Sequence, residues 1–279
     1  MKKHFKIIAL ILAVSLFAIG CGNSDESSSR DTLQAEVTTD APAYIPEVTT
    51  PVIRPTEPST PDYSDVDLSK VIAITFDDGP STNTPSSTER ILDTLEKYGV
   101  KATFFVQGIN LTYSEFKERN CALVKREAEL GMEIGNHSYD HPNFDKMSAS
   151  EIQKQLNDAA NLIEEASGVR PQIVRTPYGA QKQSTLDAVD YPVILWNIDT
   201  LDWDTKNADK TYNEIMNNAK GGSIILMHDL YQATADAVEM AVPALLAKGY
   251  KLVTVSEMFE MYGQKLEPNH YYYKAEKQN

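Results

Sequence analysis

The chain has 279 residues, with 26 lysine and arginine residues against 40 aspartate and glutamate residues, and a formal net charge of −14. So acidic a surface repels phosphate backbones and disfavours nucleic acid as a partner, whereas a neutral substrate meets no such penalty. The length allows one large domain or two small ones, and 2 cysteines are too few for a disulfide framework.

Residues 1–21 have the pattern of an export signal, in which lysines precede an apolar run that is short for a membrane-spanning helix. The segment Ala18-Ile19-Gly20-Cys21 resembles a bacterial lipobox, with alanine where leucine is more usual. The resemblance implies that Cys21 is lipidated and anchors an extracytoplasmic protein to the cell membrane. The alternative is an ordinary cleaved signal with an incidental cysteine.

Residues 22–66 are rich in serine, threonine and proline and carry more acids than bases. With few large apolar side chains, this segment cannot bury enough surface to offset its chain entropy, so we predict a disordered linker. A coil of about 45 residues spans roughly 40 Å. We expect the folded domain over residues 67–262 and a tail, docked or disordered, over 263–279.

From Val71 onward, short apolar runs alternate with helical segments. Strands are predicted at residues 71–76, 102–106, 133–136, 173–174, 193–198, 223–227 and 251–255. Helices are predicted at residues 91–98, 121–130, 152–163, 212–218 and 233–247, with Ser148 and Glu151 as a capping box for the third. Repeated strand–helix units predict an α/β fold, and about seven parallel strands favour a (β/α) barrel over an open doubly wound sheet.

Polar side chains follow these strands where each strand ends. They are Asp77, Asp78, His137, Arg175, Asp199 and His228. In a parallel barrel these strand ends share one face, and that face carries the active site. The sequence therefore predicts that these side chains meet in one cleft.

His137 and His141 have a spacing that places both imidazoles on one side of a helical turn or tight loop. Alone, this spacing is more typical of two surface histidines. Beside the strand-end carboxylates of Asp77 and Asp78, it favours a site for zinc or a neighbouring divalent metal.

Two further segments allow alternatives. Arg175 can pair with a carboxylate, and the turn Pro177-Tyr178-Gly179 can present a backbone N–H to an oxyanion, or Arg175 can be an ordinary surface residue. Trp203 either packs in the core or walls a small pocket, and the sequence does not decide between the two.

Five segments in order across residues 70–260 resemble the motifs of the polysaccharide deacetylase family, also called the NodB-homology family or family-4 carbohydrate esterases. They are Thr75–Pro80, His137–His141, Arg175–Gly179, Asp199–Trp203 and Ile224–His228. The resemblance implies a distorted (β/α) barrel, a single catalytic domain and metal-dependent removal of acetyl groups from N-acetylated sugar polymers.

The resemblance also implies roles for individual residues. Asp78, His137 and His141 would bind a divalent metal, most typically zinc, with cobalt, nickel or manganese as alternatives. Asp77 would be the catalytic base, and Arg175 would hold and orient it.

The other half of the implied site completes the reaction. His228 would be the general acid, with Asp202 as its carboxylate partner. The backbone N–H of Tyr178 would help to stabilise the oxyanion. Trp203 and Leu226 would enclose the methyl group of the acetyl substrate.

A lipid-anchored enzyme with this chemistry is expected to act on N-acetylglucosamine of peptidoglycan. An O-acetyl esterase that acts on xylan is one alternative, and a non-catalytic, lipid-anchored glycan-binding protein is another. No protein partner is predicted.

Overall fold

The computed structural model describes residues 62–277; the predicted signal, Cys21 and almost all of the predicted linker lie outside this range. The last residues of the predicted linker contact the domain. Tyr63 donates a hydrogen bond of 3.3 Å from its hydroxyl to Glu260, and Val66 packs against the core. None of the helices within residues 62–277 has the length and apolar character that a membrane span requires.

Strands and helices alternate along the described chain. The strands are β1 (Val71–Asp77), β2 (Thr103–Val106), β3 (Glu133–Asn136), β4 (Val193–Ile194), β5 (Ile198–Asp199), β6 (Ile224–His228), β7 (Lys251–Leu252) and β8 (Tyr271–Tyr272). The helices are α1 (Ser87–Tyr98), α2 (Lys117–Glu129), α3 (Ala149–Ser167), α4 (Gln183–Ala188), α5 (Asp202–Thr205), α6 (Ala208–Asn218), α7 (Gln232–Ala247) and α8 (Val255–Met261).

The main sheet is parallel and has the order β3-β2-β1-β6-β5, with β7 paired to the first residues of β1. Parallel bridges join Asn136 to Val174 and Val174 to Val193, so the pairing continues from β3 to β4 and on to β8. An antiparallel bridge between Lys274 and Ser223 then connects the segment after β8 to the start of β6. This circuit is the α/β barrel expected from the sequence, distorted because single bridges replace full strands on one side.

Strand β1 lies between β2 and β6 and is buried along its whole length. Ile72, Ile74 and Phe76 pack into one apolar cluster, while Val71 and Ala73 belong to a second cluster on the other face. Because strand side chains alternate between faces, Asp77 emerges on the same side as Val71 and Ala73. The strand therefore delivers Asp77 to the inside of the barrel.

Helix ends follow the local signals in the sequence. Ser148 and Glu151 form the predicted capping box of α3. Gly99 and Gly168 end α1 and α3 in the left-handed region, with φ of 61° and 76°, where a side chain would be strained.

Two predicted strands were wrong in part. The run 193–198 forms two short strands, β4 and β5, which pair with different neighbours, β8 and β6. The run 251–255 ends as a strand at Leu252, because Thr254 and Glu257 form a capping box that begins α8. Helix α7 is therefore not the last helix of the domain.

The tail docks on the barrel. Tyr271 and Tyr272 pair in parallel with β4, Tyr272 packs edge-on against Phe259 with ring centroids 5.2 Å apart, and Ala275 is 3% exposed. These contacts fill the gap between β4 and β6 and complete the circuit of strands.

We predict that deleting residues 263–279 lowers the free energy of unfolding by at least ~2 kcal/mol, since burying one large apolar side chain contributes about that much. Urea denaturation followed by circular dichroism measures the change. A chain that ends at Glu276 keeps β8 and Ala275 and is the control. If both truncated chains unfold at the same urea concentration as the full chain, the tail does not stabilise the barrel.

Candidate active site

Asp77 and Arg175 form a buried ion pair at the carboxyl end of β1. The guanidinium is fully buried and donates to Asp77 Oδ1 at 2.7 Å and to Thr75 Oγ1 at 2.8 Å. It also donates to the carbonyl oxygens of Ile194 and Leu195, at 2.9 and 3.0 Å, and lies 4.1 Å from the centre of the Phe105 ring. Burial lowers the pKa of Arg175, and the charge of Asp77 opposes that change. The alternative of a surface arginine is therefore wrong.

Asp78, His137 and His141 come together beside this pair. One donor atom from each lies within 4.8 Å of the other two. The Nε2 atoms of His137 and His141 lie 3.4 and 3.5 Å from Asp78 Oδ1. Asp78 has a φ of 72° and His141 one of 62°, so left-handed turns aim both side chains into the cluster.

The two imidazoles of this cluster are arranged to bind a cation. The Nδ1 atom of His137 lies 2.7 Å from the carbonyl oxygen of Arg175, which fixes the ring and leaves Nε2 facing the carboxylates, as is usual for metal-binding histidines. Burial, helped by the neighbouring His137, lowers the pKa of His141 to about 4 against the pull of Asp78. Its imidazole is neutral at neutral pH, so its lone pair is free to bind. The three residues fit a divalent metal.

His228, which is partly buried at the end of β6, forms a second pair with the buried Asp202 of α5. Asp202, 1% exposed, lies with Oδ1 at 2.9 Å from the Nδ1 atom of His228 and accepts from the His228 backbone N–H at 2.7 Å. Thr234 donates to the same carboxylate at 2.7 Å. Burial by itself lowers the pKa of His228, but the hydrogen bond and charge of Asp202, together with Asp77, outweigh it and raise the pKa to about 9.

One cavity of about 450 Å³ is lined by one member of each pair, Asp77 and His228, and by the three residues of the cluster. Its lining is Asp77, Asp78, His137, His141, Thr176, Tyr178, Gly179, Trp196, Asp199, Trp203, Leu226, His228 and Tyr231. Trp203 is 47% exposed, so the core interpretation of this residue is wrong and it walls the cavity. Asp199 accepts from the backbone N–H of Leu201 at 2.9 Å.

Tyr178 lines the cavity. It has a φ of 58° within the short turn Pro177–Gly179, at a helix start where N–H groups lack intrahelical acceptors. Its ring, 69% exposed, packs against His141 with centroids 4.5 Å apart.

Sequence reasoning missed three residues that contact Asp78 or its neighbour Gly79. Gln107 donates from Nε2 to Asp78 Oδ1, and Asn110 donates to the carbonyl oxygen of Asp78 at 2.6 Å. Asp229 is fully buried and so close to Gly79 that a Cβ there would lie 2.1 Å from its Oδ2. Gln107 and Asp229 follow the ends of β2 and β6, so the strand-end pattern that marked the other residues could have found them.

Comparisons with known proteins identify the family of this chain. The family model described as Polysaccharide deacetylase matches residues 65–191. The chain is 36% identical over 219 residues to the peptidoglycan-N-acetylglucosamine deacetylase PgdA of Listeria monocytogenes, covering 78% of this chain and 44% of that relative. It is 41% identical over 196 residues to the peptidoglycan-N-acetylmuramic acid deacetylase PdaC of Bacillus subtilis, covering 70% and 40%.

The fold matches solved structures as well. A family 4 acetyl xylan esterase from Clostridium thermocellum, in complex with a cobalt ion, superposes with a TM-score of 0.67 at 31% identity, covering 74% of this chain and 98% of that one. The chain belongs to the polysaccharide deacetylase family, the family-4 carbohydrate esterases, whose deacetylases use a divalent metal. It spans less than half the length of the two curated peptidoglycan deacetylases.

Proposed function

We propose that this protein hydrolyses N-acetyl groups of a cell-wall polysaccharide, namely those of N-acetylglucosamine in peptidoglycan, to give a free amino sugar and acetate. The proposal rests on one cavity that is lined by both Asp77 and His228. Arg175 pairs with Asp77, and Asp202 pairs with His228. The three residues that fit a metal ion line the same cavity. The similarity to two peptidoglycan deacetylases supports the choice of polymer.

The reaction is difficult because an amide carbonyl is a poor electrophile and an amine a poor leaving group. A divalent ion held by Asp78, His137 and His141 would supply Lewis acidity at the substrate carbonyl. Asp77 accepts the proton of the attacking water, and Arg175 holds and orients that carboxylate through a hydrogen bond of 2.7 Å.

The remaining residues act on the tetrahedral adduct. The backbone N–H of Tyr178 donates to the developing oxyanion. His228 gives its proton to the departing nitrogen, and Asp202 keeps that imidazole charged until the transfer. Trp203 and Leu226 wall the part of the cavity that we assign to the acetyl methyl group.

The metal is proposed to be zinc, since two imidazoles and one carboxylate suit it, with cobalt, nickel or manganese as alternatives. We predict that His141→Ala lowers the affinity for Zn²⁺ at least about a hundredfold, because the loss of a ligand exceeds that of an outer-shell partner. Isothermal titration calorimetry measures the affinity. His270→Ala, an exposed histidine in the tail, is the control, and equal affinity in the two variants would remove His141 from the site.

The pH dependence tests the second pair. Because His228 must be protonated to act as an acid, turnover should fall as the pH rises through its pKa of about 9. In Asp202→Asn the stabilising charge is gone, so we expect this fall to move at least about one pH unit lower. The pH–rate profile measures it, with the exposed Asp204→Asn on the same helix as control. An unmoved alkaline limb would leave Asp202 a structural role only.

The same pair links stability to pH. The pKa of His228 in the folded protein lies above its ordinary value of 6.5. The stabilisation from the pair is therefore complete below pH 6.5 and is lost as the pH rises through about 9.

For the location, we propose that Cys21 is lipidated and tethers the domain outside the cell membrane. The lipobox-like sequence supports this proposal, and a linker that reaches roughly 40 Å would bring the domain to peptidoglycan. In Cys21→Ser the protein should leave the membrane fraction. If the variant stays there in the same amount as the wild-type protein, lipidation of Cys21 is not the anchor.

Two alternatives remain distinguishable. One alternative is an O-acetyl esterase, and the similarity to the acetyl xylan esterase supports it. A glycan-binding protein without turnover is the other. The test is acetate release by the full-length chain with Zn²⁺, Co²⁺ or Mn²⁺ from N-acetylglucosamine oligomers, peptidoglycan strands and acetylated xylan. We expect release from the first two, whereas release from xylan alone favours the esterase and release from none favours the binder.

A further inference from the structure

Lys206 contacts one of the residues that line the active-site cavity. It follows α5, the short helix that carries Asp202 and Trp203, and has a φ of 44°. Its ammonium group lies 5.1 Å from the centre of the Tyr231 ring, and Tyr231 lines the cavity. The contact of a cation with an aromatic face holds the ammonium group there while the residue stays exposed.

Free positive charge is scarce among the side chains around the cavity. Asp77, Asp78 and Asp199 line the cavity, and its lining within residues 62–277 contains no lysine or arginine. The nearby guanidinium of Arg175 is fully buried and engaged by Asp77. The net charge of −14 disfavours an anionic group on a substrate, and the positive charge of His228 in the cavity is already paired with Asp202. Lys206 supplies positive charge beside Tyr231, and among residues 62–277 it contacts this aromatic ring and forms no ion pair with a carboxylate.

We infer that Lys206, positioned by Tyr231, binds a carboxylate of the glycan beside the reacting sugar. This inference rests on the proposed function, because peptidoglycan carries such groups. Its glucosamine residues alternate with sugars that bear a lactyl ether. The lactyl carboxyl is free on strands stripped of peptide, whereas in intact wall it is amide-linked to a peptide with carboxylates of its own. Uncharged N-acetylglucosamine oligomers have neither group, so Lys206 would favour wall glycan over them.

The test compares kcat/KM on an anionic glycan with kcat/KM on the neutral N-acetylglucosamine tetramer, using the full-length protein with Zn²⁺. In Lys206→Ala we expect this ratio to fall about fivefold, as suits an exposed ion pair, and the difference from wild type to shrink with added salt. Lys206→Arg should restore the ratio because the charge returns. Lys210→Ala, which removes an exposed lysine from α6, is the matched control and should leave the ratio at the wild-type value.

Two anionic substrates identify the source of the carboxylate. A fall with peptide-free strands assigns the lactyl carboxylate, and a fall confined to peptide-bearing strands assigns a peptide carboxylate. A ratio in Lys206→Ala equal to that of wild type on both substrates overturns the inference. Failure of the wild-type protein to release acetate from any of the three glycans would instead overturn the proposed function on which the inference rests.

Discussion

Asp77→Asn is expected to lower the rate of acetate release about a thousandfold, because the amide cannot accept the proton of the attacking water. Asp77 is 3% exposed and opens on the cavity, so no bulk carboxylate or buffer replaces it easily. Steady-state assays of acetate release measure the effect, and metal analysis of the same samples shows whether the variant still binds its ion.

The matched control for this variant is Asp140→Asn. Asp140 lies in the same segment as His137 and His141 but is exposed, and it accepts a hydrogen bond of 2.7 Å from Gln155. We expect it to keep wild-type turnover. Wild-type turnover in Asp77→Asn as well would remove Asp77 from the reaction and with it the assignment of a general base.

Arg175→Leu is expected to lower the free energy of unfolding by about 3–5 kcal/mol, the usual cost of leaving one partner of a buried ion pair uncompensated. Arg175 is fully buried, and its guanidinium also satisfies the carbonyl oxygens of Ile194 and Leu195, which the substitution leaves without a donor. Urea denaturation measures the loss.

Two further variants make this measurement specific. Arg170→Leu removes a partly exposed arginine that pairs with Glu164 at 2.8 Å, and it should cost less than about 1 kcal/mol. Adding Asp77→Asn to Arg175→Leu removes the unpaired carboxylate and should recover part of the loss. Equal losses for Arg175→Leu and Arg170→Leu would contradict the structural role given to the buried pair.

Much of the site follows from one rule about the sequence. Apolar runs that end in polar residues placed Asp77, His137, Arg175 and His228 at strand ends, and parallel strand ends share a face. The strands themselves were predicted where the runs are long, as in β1. The rule could not say which carboxylate Arg175 would meet, because that depends on the bridge from Asn136 to Val174 across distant parts of the chain.

The parts that sequence reasoning missed depend on contacts over long distances or on competing local signals. The residue pattern alone could not assign Trp203 to core or cavity, and only the family resemblance placed it at the cavity, because its orientation is set by α5, which is flanked by the left-handed residues Leu201 and Lys206. Helix α8 was not predicted, because the apolar run before it has the pattern of a strand. Thr254 and Glu257 nevertheless form the capping box that begins this helix. The tail strand β8 has no strong pattern of its own and forms by pairing with β4.

The most direct test of the central claim is mass spectrometry of purified peptidoglycan strands after incubation with the full-length protein. The protein is first stripped of metal by a chelator and then divided into samples with and without added Zn²⁺. We expect free amino groups on glucosamine residues only in the sample with Zn²⁺, and none with Asp77→Asn in either sample. Strands that stay fully acetylated with zinc, cobalt, nickel and manganese alike, under conditions where acetylated xylan loses its acetyl groups, would contradict it.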